Sequence, residues 1–421
     1  MCDREEEALL KKLFCHAVVY ASTSTGDGRG VDQTEGSTDA TEYNILPDGA
    51  VRVVNGKIVE IIADTNGLTN TDRVGYEIVD LEGMTLVPGF VDLHVHGGGG
   101  YDVMQGEAEQ VQEVSVFHAK HGTTAMLATT WTADRHSIDR AVSAITEAIE
   151  QGTEGADIVG IHLEGPFIHP VRCGAQHPAH IREPSIEELA SYIDRSHNRI
   201  RLMTIAPEQP RALEVIRYAV QHDICVSIGH SEATADQIRE AVKLGASHVT
   251  HLFNGMRPLH HREPGVAGSA LMLDELTVEL ICDGHHVHRD IIDLVFRVKR
   301  PGQIVLITDA VAAAGMPDGD GYHLAGQVCY KQDGQVRLLS DNSLAGSCLT
   351  MDEALHRTLR YTGRKLEGIL PTMTSNPARQ AGMHRYKGSI ANGWDADFVV
   401  LDQQLEVAAT YVRGRCVYTR P

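Results

Sequence analysis

Metal-ligating side chains recur in this sequence where apolar runs end. One run closes on Val91-Asp92-Leu93-His94-Val95-His96, so on an extended backbone the imidazoles of His94 and His96 project to the same side. Another, 158–163, ends at Glu164 and is followed by Gly165-Pro166, and a third, 225–229, ends at His230. A fourth ends at His251, and the last, Leu306-Ile307-Thr308, at Asp309. Any one of these alone reads as a capping or loop residue, and a solitary His-x-His is more often not a ligand pair. Five separate runs ending in His, His, Glu, His and Asp are a different matter. Buried carboxylates and imidazoles need partners, and a shared divalent cation reconciles them. Imidazole and carboxylate without thiolate suit Zn2+ or Fe2+, with Mn2+ or Co2+ as further options. A cation with open positions acidifies water and polarises a carbonyl, which points to hydrolysis, with Asp309 as the proton carrier if it reaches that water. A purely structural metal is the alternative, although closed structural sites favour Cys-rich sets.

The elements that must position these residues alternate regularly. Apolar runs of strand length recur at 85–93, 123–129, 157–163, 200–205, 224–228, 247–250, 277–282 and 303–308. Between them lie stretches with helical spacing: 138–149 puts Ile138, Ala141, Val142, Ile145, Ala148 and Ile149 on one face, and 184–193, 212–220 and 233–244 read the same way. Eight strand–helix alternations predict an α/β fold, a closed (β/α)8 TIM-type barrel, whose functional residues gather at the C-terminal ends of the strands. A doubly wound open sheet competes on alternation alone. Short strand candidates at 17–20, 50–54 and 57–62, the last two flanking Asn55-Gly56, are echoed by 398–401 and 407–412, which suggests a small β-sandwich domain built from both ends of the chain. The expected division is 1–84 and 383–421 for the small domain and 85–382 for the barrel, with 21–44, rich in Ser, Thr, Gly and Asp, as a mobile insert.

Composition narrows the partners. The 421 residues suggest two or three domains by length, although one such barrel absorbs about 250 residues. With 37 Lys plus Arg against 57 Asp plus Glu, the net charge of −20 argues against nucleic acid and anionic membranes, whose phosphates it would repel. A small anionic substrate needs a few local cations and backbone N–H groups. The eight cysteines are scattered with no Cys-x-x-Cys, as in reduced intracellular proteins. The N-terminus has no apolar signal core and no stretch of 18 apolar residues occurs, so a soluble cytoplasmic protein is expected.

The words around the candidate ligands resemble the amidohydrolase superfamily, and within it the N-acetylglucosamine-6-phosphate deacetylase branch. They include Pro88-Gly89-Phe90-Val91-Asp92, His162-Leu163-Glu164-Gly165-Pro166-Phe167 and Gly229-His230-Ser231. Thr250-His251-Leu252-Phe253-Asn254-Gly255-Met256, Arg262-Glu263-Pro264-Gly265, Asp283-Gly284-His285-His286-Val287, Thr308-Asp309-Ala310, Leu344-Ala345-Gly346-Ser347 and Asp395-Ala396-Asp397-Phe398-Val399-Val400-Leu401 complete the series, in order from about 45 to 415. The resemblance implies that Glu164, His230 and His251 hold the principal metal. His94 and His96 would complete a second position, with Glu164 bridging and Asp309 contributing, so that one or two ions are bound. It implies Asp309 as acid/base, with Asn254, Gly255, Arg262 and His286 binding a phosphorylated amino sugar. Because the phosphate-binding arginine of that family comes from across a dimer interface, it also implies a homodimer. One departure concerns the loop after Glu164, where many members carry a substrate-contacting His. Here the words are Cys173-Gly174-Ala175-Gln176-His177-Pro178, leaving either Gln176 or His177 for that role. Two other readings stand beside this one. A cyclic-amide hydrolase of the same superfamily usually bridges its metals with a modified lysine, where this chain has Glu164, and a non-catalytic sugar-phosphate-binding scaffold would need a broken ligand set.

Overall fold

In the computed structural model, which describes residues 10–23 and 41–421, eight parallel strands form one sheet in sequential order. They are Phe90–Val95, Thr123–Thr130, Asp157–Glu164, Ile200–Ile205, Cys225–Ile228, His248–Val249, Thr277–Ile281 and Ile304–Ile307. The sheet closes, because Val95 bridges Ala310 and the Asp309 N–H donates to the His94 carbonyl at 2.9 Å. Closure rules out the open doubly wound alternative. Helices cover the outside as the spacing predicts. Arg135–Gln151, for instance, starts at Asp134, whose carboxylate accepts the Ser137 N–H, and buries Ile138, Ala141, Val142, Ile145 and Ala148.

The run read as one strand over 85–93 is two. Thr85–Pro88 pairs with Phe398–Leu401 in the terminal sheet, and only Phe90–Val95 enters the barrel. Gly89 is the divider, and a Cβ there would stand 2.1 Å from the Thr124 hydroxyl oxygen, so no side chain fits.

Strands from both chain ends meet in the second sheet, which includes Lys11–Ser22, Tyr43–Val54, Lys57–Ile62, Phe398–Leu401, Val407–Val412 and Arg415–Thr419. It curls on itself: Ile58 donates its N–H to the Trp394 carbonyl at 2.9 Å, and Phe14, Val51, Ile58, Leu86, Phe398 and Val400 fill the inside. Asn55 and Gly56 both take left-handed backbone, φ 50° and 75°, as the two-residue hairpin requires. The insert expected over 21–44 is shorter than read. Residues 21–22 and 43–44 are in strands, 23, 41 and 42 lie just beyond them, and 24–40 are outside the described residues.

A four-stranded antiparallel piece, Gly319–Leu324, Gln327–Gln332, Gln335–Leu338 and Leu344–Ser347, was not anticipated. It rides on the barrel mouth with its own small core, Leu324, Cys329, Val336, Leu338 and Ala345, packed on Trp131, Val311 and Ala313. Its strands are short and partly exposed, so alternation in the sequence was weak there.

Candidate metal centre

His94 and His96 stand at the end of the first barrel strand, and Glu164 is the last residue of the third. His230, His251 and Asp309 each lie two residues past the end of the fifth, sixth and eighth strands. All three of the latter have left-handed backbone, with φ of 47°, 28° and 51°. Such conformations cost a non-glycine residue about 1 kcal/mol or more and persist only where the surroundings dictate them. Here they turn side chains inward over the barrel axis. The backbone is pinned by neighbours: the His169 N–H donates to the His230 carbonyl at 2.8 Å, the His251 N–H to Glu279 at 3.1 Å, and the Ser347 N–H to the Asp309 carbonyl at 2.8 Å.

The six side chains converge. Glu164 Oε1 is 3.0 Å from His230 Nε2 and 3.0 Å from His251 Nε2, while these two nitrogens stand 3.1 Å apart. His94 Nε2 and His96 Nε2 are also 3.1 Å apart, and Asp309 Oδ1 lies 3.5 and 3.2 Å from them. Glu164 joins the two groups, since its oxygens are 3.5 Å from His94 Nε2 and 3.4 Å from His96 Nε2. All six residues are buried. A third grouping of ligand types, Cys15, His16 and Asp80, belongs to the terminal sheet, where His16 simply pairs with Asp80 at 2.9 Å.

The far nitrogen of each ring explains why the near ones face each other. Nδ1 of His96, His230 and His251 donates to the carbonyls of Thr129, Arg172 and Asn254 at 3.0, 2.7 and 3.1 Å, and Nδ1 of His94 donates to Glu279 at 3.1 Å. A carbonyl only accepts, so the proton belongs on Nδ1 and each Nε2 presents a lone pair to the centre. Gly255 presses on one of these rings, where a Cβ would come within 3.0 Å of His230 Nδ1. Lone pairs aimed at lone pairs call for a cation between them. The electrostatics agree. Burial opposes ionisation of Glu164 and Asp309, yet the adjoining histidines, His94 foremost, hold both carboxyls below their ordinary range. Burial likewise opposes charge on His94 and His96, but Asp309 and Glu164 outweigh it and raise both. The cluster wants positive charge at its middle, which protons or a divalent ion supply, the ion displacing the protons. The donor set fits one or two such ions.

Beside this cluster is a cavity of about 150 Å3 lined by Trp131, Gln176, Asn254, Gly255, His286, Leu324 and Leu344 among others. Of the two loop candidates, Gln176 is in it and His177 is not. The Gln176 amide accepts from the Thr132 N–H and donates to Glu164 Oε2, both at 2.8 Å, whereas the His177 ring caps the short turn Pro178–His180. Burial opposes the charged form of His286, but Asp283, 2.6 Å from Nδ1, prevails and raises its pKa. Arg262 does not reach the cavity. It is exposed on the loop before Gly265–Met272, against His261.

Sequence reasoning missed Trp131, whose ring stacks on His96 at 3.8 Å and 8°, along with Leu324 and Leu344 from the unforeseen strands. It also passed over Glu279, fully buried beneath His94 and His251, although a lone acid in the apolar run Thr277–Ile281 was a signal.

A barrel with this ligand arrangement at its mouth defines a class, and the chain belongs to the amidohydrolase family, a metal-dependent family that matches residues 85–417. Within it, the chain is 37% identical over 381 residues to N-acetylglucosamine-6-phosphate deacetylase of Bacillus subtilis, covering 90% of this chain and 95% of that one. It is 36% identical over 375 residues to N-acetylgalactosamine-6-phosphate deacetylase of Escherichia coli O157:H7, covering 89% and 96%. Among solved structures it is similar to a mutant N-acetyl-D-glucosamine-6-phosphate deacetylase from Mycobacterium smegmatis in complex with N-acetyl-D-glucosamine-6-phosphate. The TM-score is 0.86 at 32% identity, covering 97% of this chain and all of that one.

Proposed function

We propose that this chain hydrolyses the acetamide of N-acetyl-D-glucosamine 6-phosphate, giving D-glucosamine 6-phosphate and acetate, in the cytoplasmic breakdown and recycling of amino sugars. The observation that carries the reading is the pair of ligand groups sharing Glu164 beside a cavity that holds His286. Residues 85–382, less the strand Thr85–Pro88 that pairs in the terminal sheet, would be the catalytic barrel, and 1–84 with 383–421 the supporting domain. No helix among the described residues is long and apolar enough to cross a membrane.

Glu164, His230 and His251 would hold one ion, and His94, His96 and Asp309, sharing Glu164, a second; Zn2+ fits the donors best. When bound, such an ion polarises the acetamide carbonyl and acidifies water. Asp309 takes a proton from the attacking water and returns it to the sugar nitrogen as the C–N bond breaks and acetate leaves. Gln176, fastened at both ends of its amide, orients the substrate. His286, whose pKa Asp283 raises, and the Asn254-Gly255 turn receive the phosphate. Arg262 would complete phosphate binding in the active site of a second subunit. Its outward position supports a homodimer, as do Leu259, Met272, Ile291, Leu294 and Val298, which stay exposed on its loop, on Gly265–Met272 and on Arg289–Val298.

The relative that is named for the galactosamine epimer supports a second reading of the sugar. Acetate release, measured on one metal-analysed sample, decides between them. Phosphorylated N-acetylglucosamine is expected to react fastest, N-acetylgalactosamine 6-phosphate more slowly and the unphosphorylated sugar least. Equal turnover with and without phosphate, or none with metal loaded, would overturn the proposal.

A further inference from the structure

Glu279 is a fully buried carboxylate near the centre and has no part in the chemistry above. It sits inside the barrel on strand seven, at 0% exposure, beneath the ligands. One oxygen, Oε2, accepts from two donors: His94 Nδ1 at 3.1 Å and the backbone N–H of His251 at 3.1 Å. The other, Oε1, accepts from His248 Nε2 at 3.1 Å, and the far nitrogen of His248 faces Gln380 Oε1 at 3.3 Å. Gln380 in turn donates to Thr277 at 3.0 Å. The chain of contacts runs from His94 through the barrel interior to its wall, so Glu279 has little freedom to move.

The two ligand groups depend on Glu279 unequally. His96, His230 and His251 anchor Nδ1 on main-chain carbonyls, which no side-chain change removes. His94 alone of the four anchors its ring on a side chain. Strand seven also keeps a grip on the His251 turn without that side chain, because the Leu252 N–H donates to the Glu279 carbonyl at 2.9 Å. Loss of the Glu279 side chain therefore leaves Glu164, His230 and His251 with their ring anchors, while His94 loses the contact that sets its ring angle and keeps Nε2 free of a proton. A partner on the far nitrogen of a ligating imidazole is worth about 10- to 100-fold in metal affinity.

We infer that Glu279 is a positioning residue which, by holding His94, governs occupancy of the His94–His96–Asp309 position selectively. The inference rests on the two-position reading above, and one experiment separates them. Metal-free full-length chain is titrated with Zn2+, each step is followed by calorimetry, and the bound ion is counted by elemental analysis. The wild type is expected to take two equivalents. Glu279→Ala should keep the tighter one unchanged and bind the other 10- to 100-fold more weakly. Glu279→Asp, which retracts the carboxylate by one methylene and risks the fold less, should weaken the same step alone. Glu279→Gln, whose amide oxygen can still accept from His94 and His251, should recover most of the loss. A wild type that takes a single equivalent overturns the two-position reading and the assignment with it. A wild type with two equivalents, alongside Glu279→Ala and Glu279→Asp variants that match both affinities or lose both equally, overturns the Glu279 assignment alone.

Discussion

The third barrel strand carries a carboxylate at each end, and the two ends meet opposite fates. Asp157 opens Asp157–Glu164 and Glu164 closes it, roughly 23 Å apart by the rise of an extended chain. At the lower end Lys387 Nζ, almost wholly buried, lies 2.8 Å from Asp157, 2.6 Å from Asp397 and 3.3 Å from Asp395. Arg413 reaches Asp157 at 2.7 Å, and Lys57 reaches Asp395 at 2.6 Å. Three cations meet three anions there, and every contact sets an N–H against an oxygen. At the upper end four imidazole nitrogens and two carboxylates face one another, with the ring protons held on the outer side. The lower cluster is complete and fastens the terminal sheet to the barrel. The upper one is incomplete without an ion. Both ends gather carboxylates away from solvent, and what separates a fastening from a candidate metal centre is whether the donors and acceptors already match.

That contrast can be broken most severely at the upper end. Glu164→Ala should abolish metal retention and, with it, all measurable acetate release. Asp309→Asn should keep the ion bound at Glu164, His230 and His251, while turnover falls about 100- to 10,000-fold, the usual worth of a positioned acid/base. Near-normal turnover in that variant removes Asp309 from the chemistry. At the lower end, Lys387→Met removes the buried cation that Asp157, Asp395 and Asp397 share, leaves buried Asp397 without its ion-pair partner, and should cost about 3–5 kcal/mol in denaturant unfolding. The metal content of protein that does fold should be unchanged, and loss of metal there would show that the two clusters are coupled.

Chelation separates the ends by a smaller margin. Removing an ion present at a thousandfold excess over its dissociation constant should lower stability by about 4 kcal/mol in the wild type. In a Glu164→Ala chain it should change nothing, and a chelator that shifts both melting curves alike contradicts this.

The smallest effect concerns pH. Burial pushes the His118 pKa down to about 4, where its ring donates to the Gly97 carbonyl at 3.0 Å. A depressed histidine contributes stability that is present above its unfolded value of about 6.5 and lost as pH falls toward the folded value. Between pH 6.5 and 5.5 its share is about 1 kcal/mol. The His118→Gln variant should therefore lose less stability than the wild type over that interval in urea titrations, and identical slopes would remove His118 as the cause.

Much of this was readable from residue order because barrels are local repeats. Each strand and its helix follow from a short apolar pattern, and C-terminal strand ends are where ligand types accumulate. Less readable was whatever depended on long-range geometry. Gly89 splits one apolar run between two sheets only because Thr124 lies against it. The four short strands over 319–347 become a wall of the cavity only because Trp131 and Val311 give them something to pack on. Gln176 and His177 are adjacent and chemically plausible alike, and a turn puts one in and the other out.

By itself the sequence determined the barrel, the ends of the chain that pair beside it, and six residues of types able to hold an ion. Those follow from periodicity and side-chain chemistry, which are properties of neighbouring residues. Only the tertiary structure decided which nitrogen of each ring faces inward, that Glu164 touches both groups, and that Glu279 stands behind His94. Apart from the His251 ring, held by Asn254 three residues on, those depend on partners 33 to 185 positions away in the chain, whose approach no local pattern encodes.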